Sequence, residues 1–153
     1  MMSQCCEVLK RLEGKTLVTA ESLTGGGIGA VLTAVPGSSA VYKGGVISYT
    51  NAVKHEILGV DEEILRRYGA VSSWAAGAMA SGVRKLLKAD VAVSVTGLAG
   101  PGGDEFGHDV GTVFIGFENQ TKAVVKEYHF AGNREAVRRQ TICAALELIL
   151  EMM

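Results

Sequence analysis

The feature that most constrains the fold is a strand at residues 91–95 that is apolar at nearly every position. A strand with one face in water alternates apolar and polar residues, so this pattern is typical of a central strand covered on both faces. Amphipathic helices alternate with the apolar strands, and residues 112–117 and 123–130 form one predicted hairpin. The sequence therefore predicts an α/β fold: a single three-layer α/β/α domain over residues 1–153, with a mixed, mostly parallel sheet and one antiparallel hairpin.

Apolar spacing and capping residues locate the other elements. Further strands are predicted at residues 17–20 and 41–50. Most of the predicted helices begin at a side chain whose oxygen can accept a hydrogen bond from the first free amides. Helices are predicted over residues 3–13, 24–35, 51–59, 61–69, 73–88 and 133–153, and the residues that cap or open them are Thr24, Asn51, Asp61, Ser72 or Ser73, and Asn133.

Composition restricts the class of protein. The chain has 153 residues, 48% of them hydrophobic and 20% charged, with a net charge of −1. Such a domain lacks the broad cationic surface that binds nucleic acid, so a small polar ligand is the better prediction. Three cysteines, at Cys5, Cys6 and Cys143, fit neither a disulfide framework nor a zinc site. Because such cysteines fit a reducing compartment, we expect a cytoplasmic protein, and because no apolar run approaches the length of a membrane span, we expect no membrane partner.

A glycine-rich turn follows the first predicted strand, at residues 19–27. A strand that runs into glycines and then a helix can form an anion site, since free amides there can point at one ligand. Ser22 is the candidate nucleophile in this turn, and Thr24 is the candidate helix cap, next to Gly25 and Gly26. The stretch matches no standard phosphate-loop or serine-hydrolase signature, so the pattern alone fits a tight structural turn as well as a ligand site.

A second glycine loop, residues 96–103, follows the buried strand and so emerges at its carboxyl end. Ligands of α/β sheets bind at that edge. Two such loops in one small domain favour a shared pocket over two unrelated turns. Thr96 would offer its hydroxyl to this pocket, although a threonine at a strand end can also satisfy its own backbone.

Tyr49, Asn51 and Lys54 form the third candidate stretch. If Asn51 caps the following helix, Lys54 lies in the first turn, where a positive charge opposes the helix dipole. A partly desolvated lysine has a lowered pKa and can act as a base toward a serine, and a tyrosine hydroxyl can relay a proton. A solvated surface lysine beside a half-buried tyrosine explains the same residues without any function.

Three arginines near the start of the last predicted helix, Arg134, Arg138 and Arg139, also oppose a helix dipole. Arg134 and Arg138 share one helix face, so contact with a phosphate or carboxylate would explain them. Arg139 fits a surface pair with Glu135 instead. The polar residues at 104–109 fit a solvated loop better than a metal site.

Several blocks, in order along the chain from about residue 17 to residue 150, resemble the CinA C-terminal domain family. They are T-A-E-S-L-T-G-G, V-P-G-S-S-A-V-Y-K-G-G-V-I-S-Y-T-N-x-x-K, G-A-V-S, V-T-G-L-A-G-P-G-G, V-G-T-V and N-R-E-A-V-R-R-Q. The resemblance implies a nicotinamide mononucleotide deamidase of pyridine nucleotide recycling, an amidohydrolase that yields nicotinic acid mononucleotide and ammonia. It also implies the stand-alone form, without the molybdopterin-binding-like domain of longer members. Leu23, in place of the usual cysteine, and residues 104–109, in place of a proline- and lysine-containing loop, depart from the family pattern.

The resemblance further implies roles for individual residues. Ser22 is the expected nucleophile, Tyr49 and Lys54 are its proton-handling neighbours, and Thr96 is a hydroxyl of the pocket. No metal or organic cofactor is expected. The glycine loops are expected to hold the substrate, and the candidate substrate-binding residues are Thr24, Gly25, Gly26, Gly45, Asn51, Gly97, Gly100, Gly102 and Arg138.

The expected reaction proceeds through a covalent intermediate. Ser22, deprotonated through Lys54 and Tyr49, attacks the amide carbon, and backbone amides around residues 24–26 stabilise the oxyanion. The alternatives are a nucleotide-binding module without chemistry, which has no use for a converging serine, tyrosine and lysine, and a hydrolase of another small amide or of a phosphate ester. The expected partners are a small-molecule nucleotide substrate and further copies of the chain, in a homodimer or other homo-oligomer. The small-residue face of the helix at residues 73–88 suits packing between subunits and packing in the domain's own core equally well.

Overall fold

The computed structural model describes residues 1–153 and contains one five-stranded sheet. Its strands are β1 Leu17–Glu21, β2 Tyr42–Ile47, β3 Val91–Gly97, β4 Thr112–Glu118 and β5 Ala123–His129, in the spatial order β2-β1-β3-β4-β5. β1 lies between β2 and β3 and is parallel to both, whereas β4 is antiparallel to β3 and β5. Four of the five strands therefore run in one direction, which confirms the mixed, mostly parallel sheet with its antiparallel hairpin.

Helices cover both faces of the sheet. They are α1 Met2–Arg11, α2 Gly27–Thr33, α3 Asn51–Glu56, α4 Glu62–Arg67, α5 Ser73–Leu87 and α6 Arg134–Met152. Apolar residues of α1, α2 and α6 form one buried cluster with Leu17 and Val93, and those of α4 and α5 form another with Val18 and Ala92. Because Leu17 and Val18 are sequence neighbours, as are Ala92 and Val93, alternate residues of β1 and β3 face opposite helix layers. The three-layer arrangement is confirmed.

The small-residue face of α5 packs inside the domain. Ala75, Met79 and Val83 lie in the core against the sheet, and the Ser94 hydroxyl of β3 donates a hydrogen bond to the Ala76 carbonyl (2.6 Å). The domain core accounts for this face, so its composition gives no separate indication of a subunit interface. None of the six helices is both long and apolar enough to cross a bilayer.

The predicted helix caps are mostly correct. Three of them accept hydrogen bonds from amides of the first turn and are confirmed: Asp61, Ser72 and Asn133. The cap at Asn51 is wrong by one residue, because Thr50 occupies that position and its hydroxyl accepts from the Val53 amide (3.3 Å). Lys54 therefore lies one residue further into α3 than predicted, in the last turn of this six-residue helix and not in its first.

The cap at Thr24 is also wrong. α2 begins only at Gly27, after Gly25 and Gly26 take left-handed φ angles of 58° and 100° that glycine adopts without strain. This turn leaves Thr24 outside the helix, where its hydroxyl donates to Glu21 Oε1 (2.6 Å). The buried Glu21 carboxylate accepts from the first amides of α2 instead.

Candidate active site

A cavity of about 650 Å³ lies at the carboxyl ends of the parallel strands β1 and β3. Its volume is in the range of small-molecule sites. Both glycine loops and the beginnings of α3 and α6 contribute to its wall, as expected for a shared pocket at this edge of the sheet. The polar and glycine residues that line it include Ser22, Tyr49, Asn51, Lys54, Thr96, Gly97, Gly100, Gly102, Asp104, Glu105 and Arg134.

Ser22 and Lys54 meet inside this cavity. Lys54 Nζ lies 2.9 Å from Ser22 Oγ, and the two residues are 7% and 1% exposed. Ser22 directly follows β1, and its amide donates to the Val95 carbonyl of the neighbouring strand β3 (3.0 Å). Lys54 reaches it from the last turn of α3. Ser22 and Lys54 are 32 positions apart in the sequence. They meet because β2 pairs parallel to β1, which brings α3 to the end of β1.

Lys54 is a buried amine without a carboxylate partner. It is one of the largest fully buried side chains in the protein, and it forms no ion pair with an Asp or a Glu. Burial lowers the pKa of Lys54 from 10.5 to about 8, because desolvation disfavours the charged form. Nζ also donates to the carbonyls of Ser48 (2.6 Å) and Tyr49 (3.4 Å). In a neutral amine two N–H groups can remain on these carbonyls, which leaves the lone pair for the Ser22 hydroxyl.

Unpaired backbone amides lie on the cavity wall beside Ser22. The Gly25 amide donates to the Ser22 carbonyl (3.1 Å), so it is not free for a ligand. The amides of Leu23, Ala99 and Gly100 donate to no acceptor in the protein, and all three residues line the cavity. Free amides on both glycine loops can therefore donate to a negatively charged oxygen.

The Tyr49 hydroxyl forms no hydrogen bond with Ser22 or Lys54. It accepts a hydrogen bond from Arg134 Nη2 (3.1 Å), while Arg134 Nη1 donates to the Gly100 carbonyl (2.8 Å). Only the main-chain carbonyl of Tyr49 reaches Lys54. Tyr49 is 58% exposed and lines the cavity, so it forms part of the rim together with Arg134.

The sequence named Arg138 as the substrate-binding arginine, but Arg134 lines the cavity. Arg138 donates from Nε to the Leu23 carbonyl (2.9 Å) and from Nη2 to the Thr24 carbonyl (3.3 Å). Arg138 therefore stabilises the serine turn through two main-chain carbonyls and is not part of the cavity wall. The two arginines share a helix face, but only the one in the first turn of α6 reaches the cavity.

The other predicted site residues divide into two groups. Asn51, Thr96, Gly97, Gly100 and Gly102 line the cavity. The cavity wall does not include Thr24, Gly25, Gly26, Gly45 and Arg138.

Gly45 and Thr96 show why a residue's position in the sequence did not decide whether it serves the cavity or the fold. Gly45 lies in β2 opposite Thr19, where a Cβ atom would overlap the Thr19 hydroxyl and carbonyl, so close strand packing requires the glycine. The Thr96 hydroxyl donates to the Ala70 carbonyl (2.7 Å), which commits its proton to the protein and leaves an acceptor oxygen at the cavity.

The polar loop at residues 104–109 is held together by its own hydrogen bonds. Asp104 accepts from the Phe106 and His108 amides and from His108 Nδ1 (2.7 Å). Burial raises the pKa of Asp104, but the hydrogen bonds and charge of His108 and the hydrogen bond from the Phe106 amide together outweigh it, so the net pKa lies below its ordinary value. No group of three or more His, Cys, Asp and Glu side chains is arranged to hold a metal ion, here or elsewhere.

The fold and this site define an α/β domain with a buried serine–lysine pair at the carboxyl edge of a parallel sheet. The family model of the CinA C-terminal domain matches residues 1–153, and the chain belongs to that family. The resemblance stated from the sequence blocks is thereby confirmed.

Two relatives are both named CinA-like protein. The chain is 44% identical to that of Thermotoga neapolitana over 144 residues and 44% identical to that of a Synechocystis strain over 142 residues. These alignments cover 92% and 91% of the chain but only 35% and 34% of the relatives. The chain thus spans about a third of the length of these two proteins.

Solved structures of the same superfamily share the fold over almost the whole chain. The competence damage-inducible protein A (ComA) of Klebsiella pneumoniae superposes with a TM-score of 0.96 at 36% identity, covering 98% of this chain and 94% of that one. A CinA superfamily protein of Escherichia coli gives a TM-score of 0.97 at 33% identity, covering 99% and 90%.

Proposed function

We propose that this protein is a nicotinamide mononucleotide deamidase, which hydrolyses the carboxamide to nicotinic acid mononucleotide and ammonia. Membership of the CinA C-terminal domain family and the resemblance stated above support this activity. The observation that carries the proposal is the 2.9 Å contact between Ser22 Oγ and Lys54 Nζ inside a ligand-sized cavity. A nucleotide-binding module needs glycines and a cation, but it does not need a hydroxyl paired with a buried amine.

The first half of the reaction forms an acyl-enzyme. Neutral Lys54 takes the Ser22 hydroxyl proton while Ser22 Oγ attacks the carboxamide carbon. The carbonyl oxygen becomes an oxyanion, which the free amides of Leu23, Ala99 or Gly100 are suited to bind. Lys54 then returns the proton to the amide nitrogen, the C–N bond breaks, and ammonia leaves with an ester on Ser22.

The second half restores the enzyme. Water attacks the ester carbon and passes a proton to Lys54, and the collapse of the tetrahedral intermediate returns that proton to Ser22 Oγ. The acyl group leaves as nicotinic acid mononucleotide. Because the Tyr49 hydroxyl accepts from Arg134 and forms no hydrogen bond with either member of the pair, we assign all four proton transfers to Lys54.

The substrate phosphate is assigned to the rim of the cavity. Arg134 is the cation on that rim, and a planar guanidinium can bind phosphate oxygens with two parallel N–H groups. Its present acceptors, the Tyr49 hydroxyl and the Gly100 carbonyl, hold it across the cavity mouth. Asn51 lies on the same wall and can offer an amide to the ribose or the phosphate.

Ammonia release from nicotinamide mononucleotide by the purified protein tests the proposal, with nicotinamide riboside as the matched substrate that lacks the phosphate. We expect ammonia and nicotinic acid mononucleotide in equal amounts, and a much lower kcat/KM for the riboside. Equal rates on the two substrates would remove the phosphate from the mechanism. Binding of the mononucleotide without ammonia release would favour the non-catalytic module, and ammonia release from a different small amide alone would favour another amidohydrolase.

A further inference from the structure

We propose that Glu21 is a positioning residue for the nucleophile, whose buried carboxylate ties the Ser22 turn to the first amides of α2 and so holds Ser22 Oγ at Lys54. The inference rests on the proposed role of Ser22 and names a group that acts on it without touching the substrate. Glu21 directly precedes Ser22, is 2% exposed, and is not part of the cavity wall.

The Glu21 carboxylate is bonded on both of its oxygens. Oε1 accepts from the Thr24 hydroxyl (2.6 Å) and from the Ile28 amide (2.8 Å). Oε2 accepts from the Gly29 amide (3.1 Å) and, at the limit of a hydrogen bond, from the Thr19 hydroxyl (3.4 Å). Two of the first amides of α2 are thus satisfied by the side chain of Glu21, which lies before the turn, and not by the residue at the cap position of the helix.

These bonds hold both ends of the turn that carries Ser22. Glu21 is the last residue of β1, Thr24 lies within the turn, and the Ile28 and Gly29 amides belong to the beginning of α2, so the carboxylate connects both ends of the loop between β1 and α2. α2 cannot supply this itself, because its cap residue, Gly26, has no side chain. A buried carboxylate without partners would be strongly unfavourable, and its four donors explain why an acid is stable there.

The main chain of Glu21 reaches the other member of the pair. The Ser48 amide donates to the Glu21 carbonyl (2.8 Å), and the Ser48 carbonyl in turn accepts from Lys54 Nζ (2.6 Å). Glu21 is therefore fixed to α2 by its side chain and linked to Lys54 through Ser48. It forms no ion pair with Lys54, so its effect on the reaction is geometric.

Glu21→Gln is the variant that isolates the carboxylate. Glutamine keeps the size of the side chain but replaces one acceptor oxygen with an NH₂ group, which can only donate. The partners of Glu21 are themselves donors, so at least one hydrogen bond is lost. A small displacement of a catalytic group can cost about 100-fold in rate, so we expect kcat to fall by about 10- to 100-fold. We expect the KM for nicotinamide mononucleotide to change less than about threefold, and the midpoint of the acidic limb of the pH–rate profile to stay unchanged.

A substrate-independent readout separates this inference from the proposed function. A small fluorophosphonate reacts with an activated serine by forming a P–O bond and releasing fluoride, and its site can be located by peptide mass spectrometry. We expect the labelling rate at Ser22 to fall in Glu21→Gln as kcat does. If the wild-type protein labels at Ser22 but does not deamidate the mononucleotide, the substrate proposal fails while the Glu21 inference is still tested.

Two further comparisons control for stability. Ser94→Ala removes a buried hydroxyl bond on β3, away from the cavity, and should lower stability without changing the labelling rate. Thr24→Val removes one donor to Glu21, whereas Thr24→Ser keeps it, so the valine variant should label several-fold more slowly than the serine variant. This pair decides the question if Glu21→Gln does not fold.

The inference is overturned if Glu21→Gln labels at the wild-type rate, or if Thr24→Val and Thr24→Ser react equally fast. A shift in the midpoint of the acidic limb with unchanged maximal kcat would also overturn it. That result would make Glu21 an electrostatic partner of Lys54 instead of a positioning residue.

Discussion

Lys54 should act as the base, and its protonation should set the acidic limb of the pH–rate profile. Burial lowers the pKa of Lys54 to about 8, and only the neutral amine can accept the Ser22 proton. At pH 7 an amine with this pKa is neutral in about 9% of molecules, against about 0.03% for a pKa of 10.5. Burial in this cavity therefore raises the population of the active base by roughly 300-fold.

The assay is kcat/KM for ammonia release between about pH 6 and pH 10. We expect a tenfold rise for each pH unit below the pKa and a plateau above about pH 8. Lys54→Arg keeps the charge but cannot lose its proton at working pH, and Lys54→Met removes both, so both variants should lose at least about 100-fold in kcat. Lys10→Met, an exposed lysine of α1, is the matched control and should behave as wild type.

The same pKa predicts the pH dependence of stability. Between about pH 8 and 10.5 the unfolded chain binds more protons at Lys54 than the folded protein does, so the free energy of unfolding rises with pH there. Below pH 8 the folded state carries the full cost of protonating the buried amine, about 3 kcal/mol for a pKa lowered from 10.5 to about 8. Lys54→Met should therefore raise Tm more at pH 7 than at pH 10.

The refuting result for the base assignment is catalytic. If Lys54→Arg keeps most of the wild-type turnover, Lys54 only holds charge and the base assignment is wrong.

Three other predictions concern the rim, the sheet and metals. Arg134→Ala should raise the KM for nicotinamide mononucleotide by about 10- to 100-fold, with little effect on nicotinamide riboside, whereas Arg139→Ala, which loses only an exposed pair with Glu135, should change neither. An equal loss on both substrates would show that Arg134 does not bind the phosphate. Gly45→Ala should lower the free energy of unfolding by about 1–3 kcal/mol in urea titration, because its Cβ would overlap Thr19; an unchanged midpoint would contradict the close packing of β1 and β2. EDTA should leave the rate unchanged, and a loss restored by one divalent ion would refute the serine–lysine scheme.

The sheet and the reacting pair were predictable because their signals are local. The strand at residues 91–95 is apolar on both faces, so its central position followed from the sequence, and the structure gives it as part of β3. Ser22 and Lys54 each lie just beyond a predicted strand, and parallel strands bring such positions to one edge. Chain direction and strand ends therefore placed both residues at one edge of the sheet, whereas their roles as nucleophile and base were expected from the family resemblance.

The residues that were missed depend on side-chain directions that no local pattern fixes. Arg134 and Arg138 share one helix face, but Arg134 lines the cavity, whereas Arg138 donates to the Leu23 carbonyl of the serine turn. Thr50 and Asn51 both cap helices well, so the sequence could not separate them. Glu21 satisfies the amides of a helix that begins six residues later, a span that capping rules do not cover.

Ammonia release by Ser22→Ala tests the central claim most directly. The substitution removes a small hydroxyl at a turn, so the fold and the Kd for nicotinamide mononucleotide, measured by calorimetry, should be nearly those of the wild type. Loss of the nucleophile removes the acylation step itself, so the rate should fall by far more than 100-fold. A variant that binds the mononucleotide normally and keeps more than about one-hundredth of the wild-type rate would contradict covalent catalysis by Ser22.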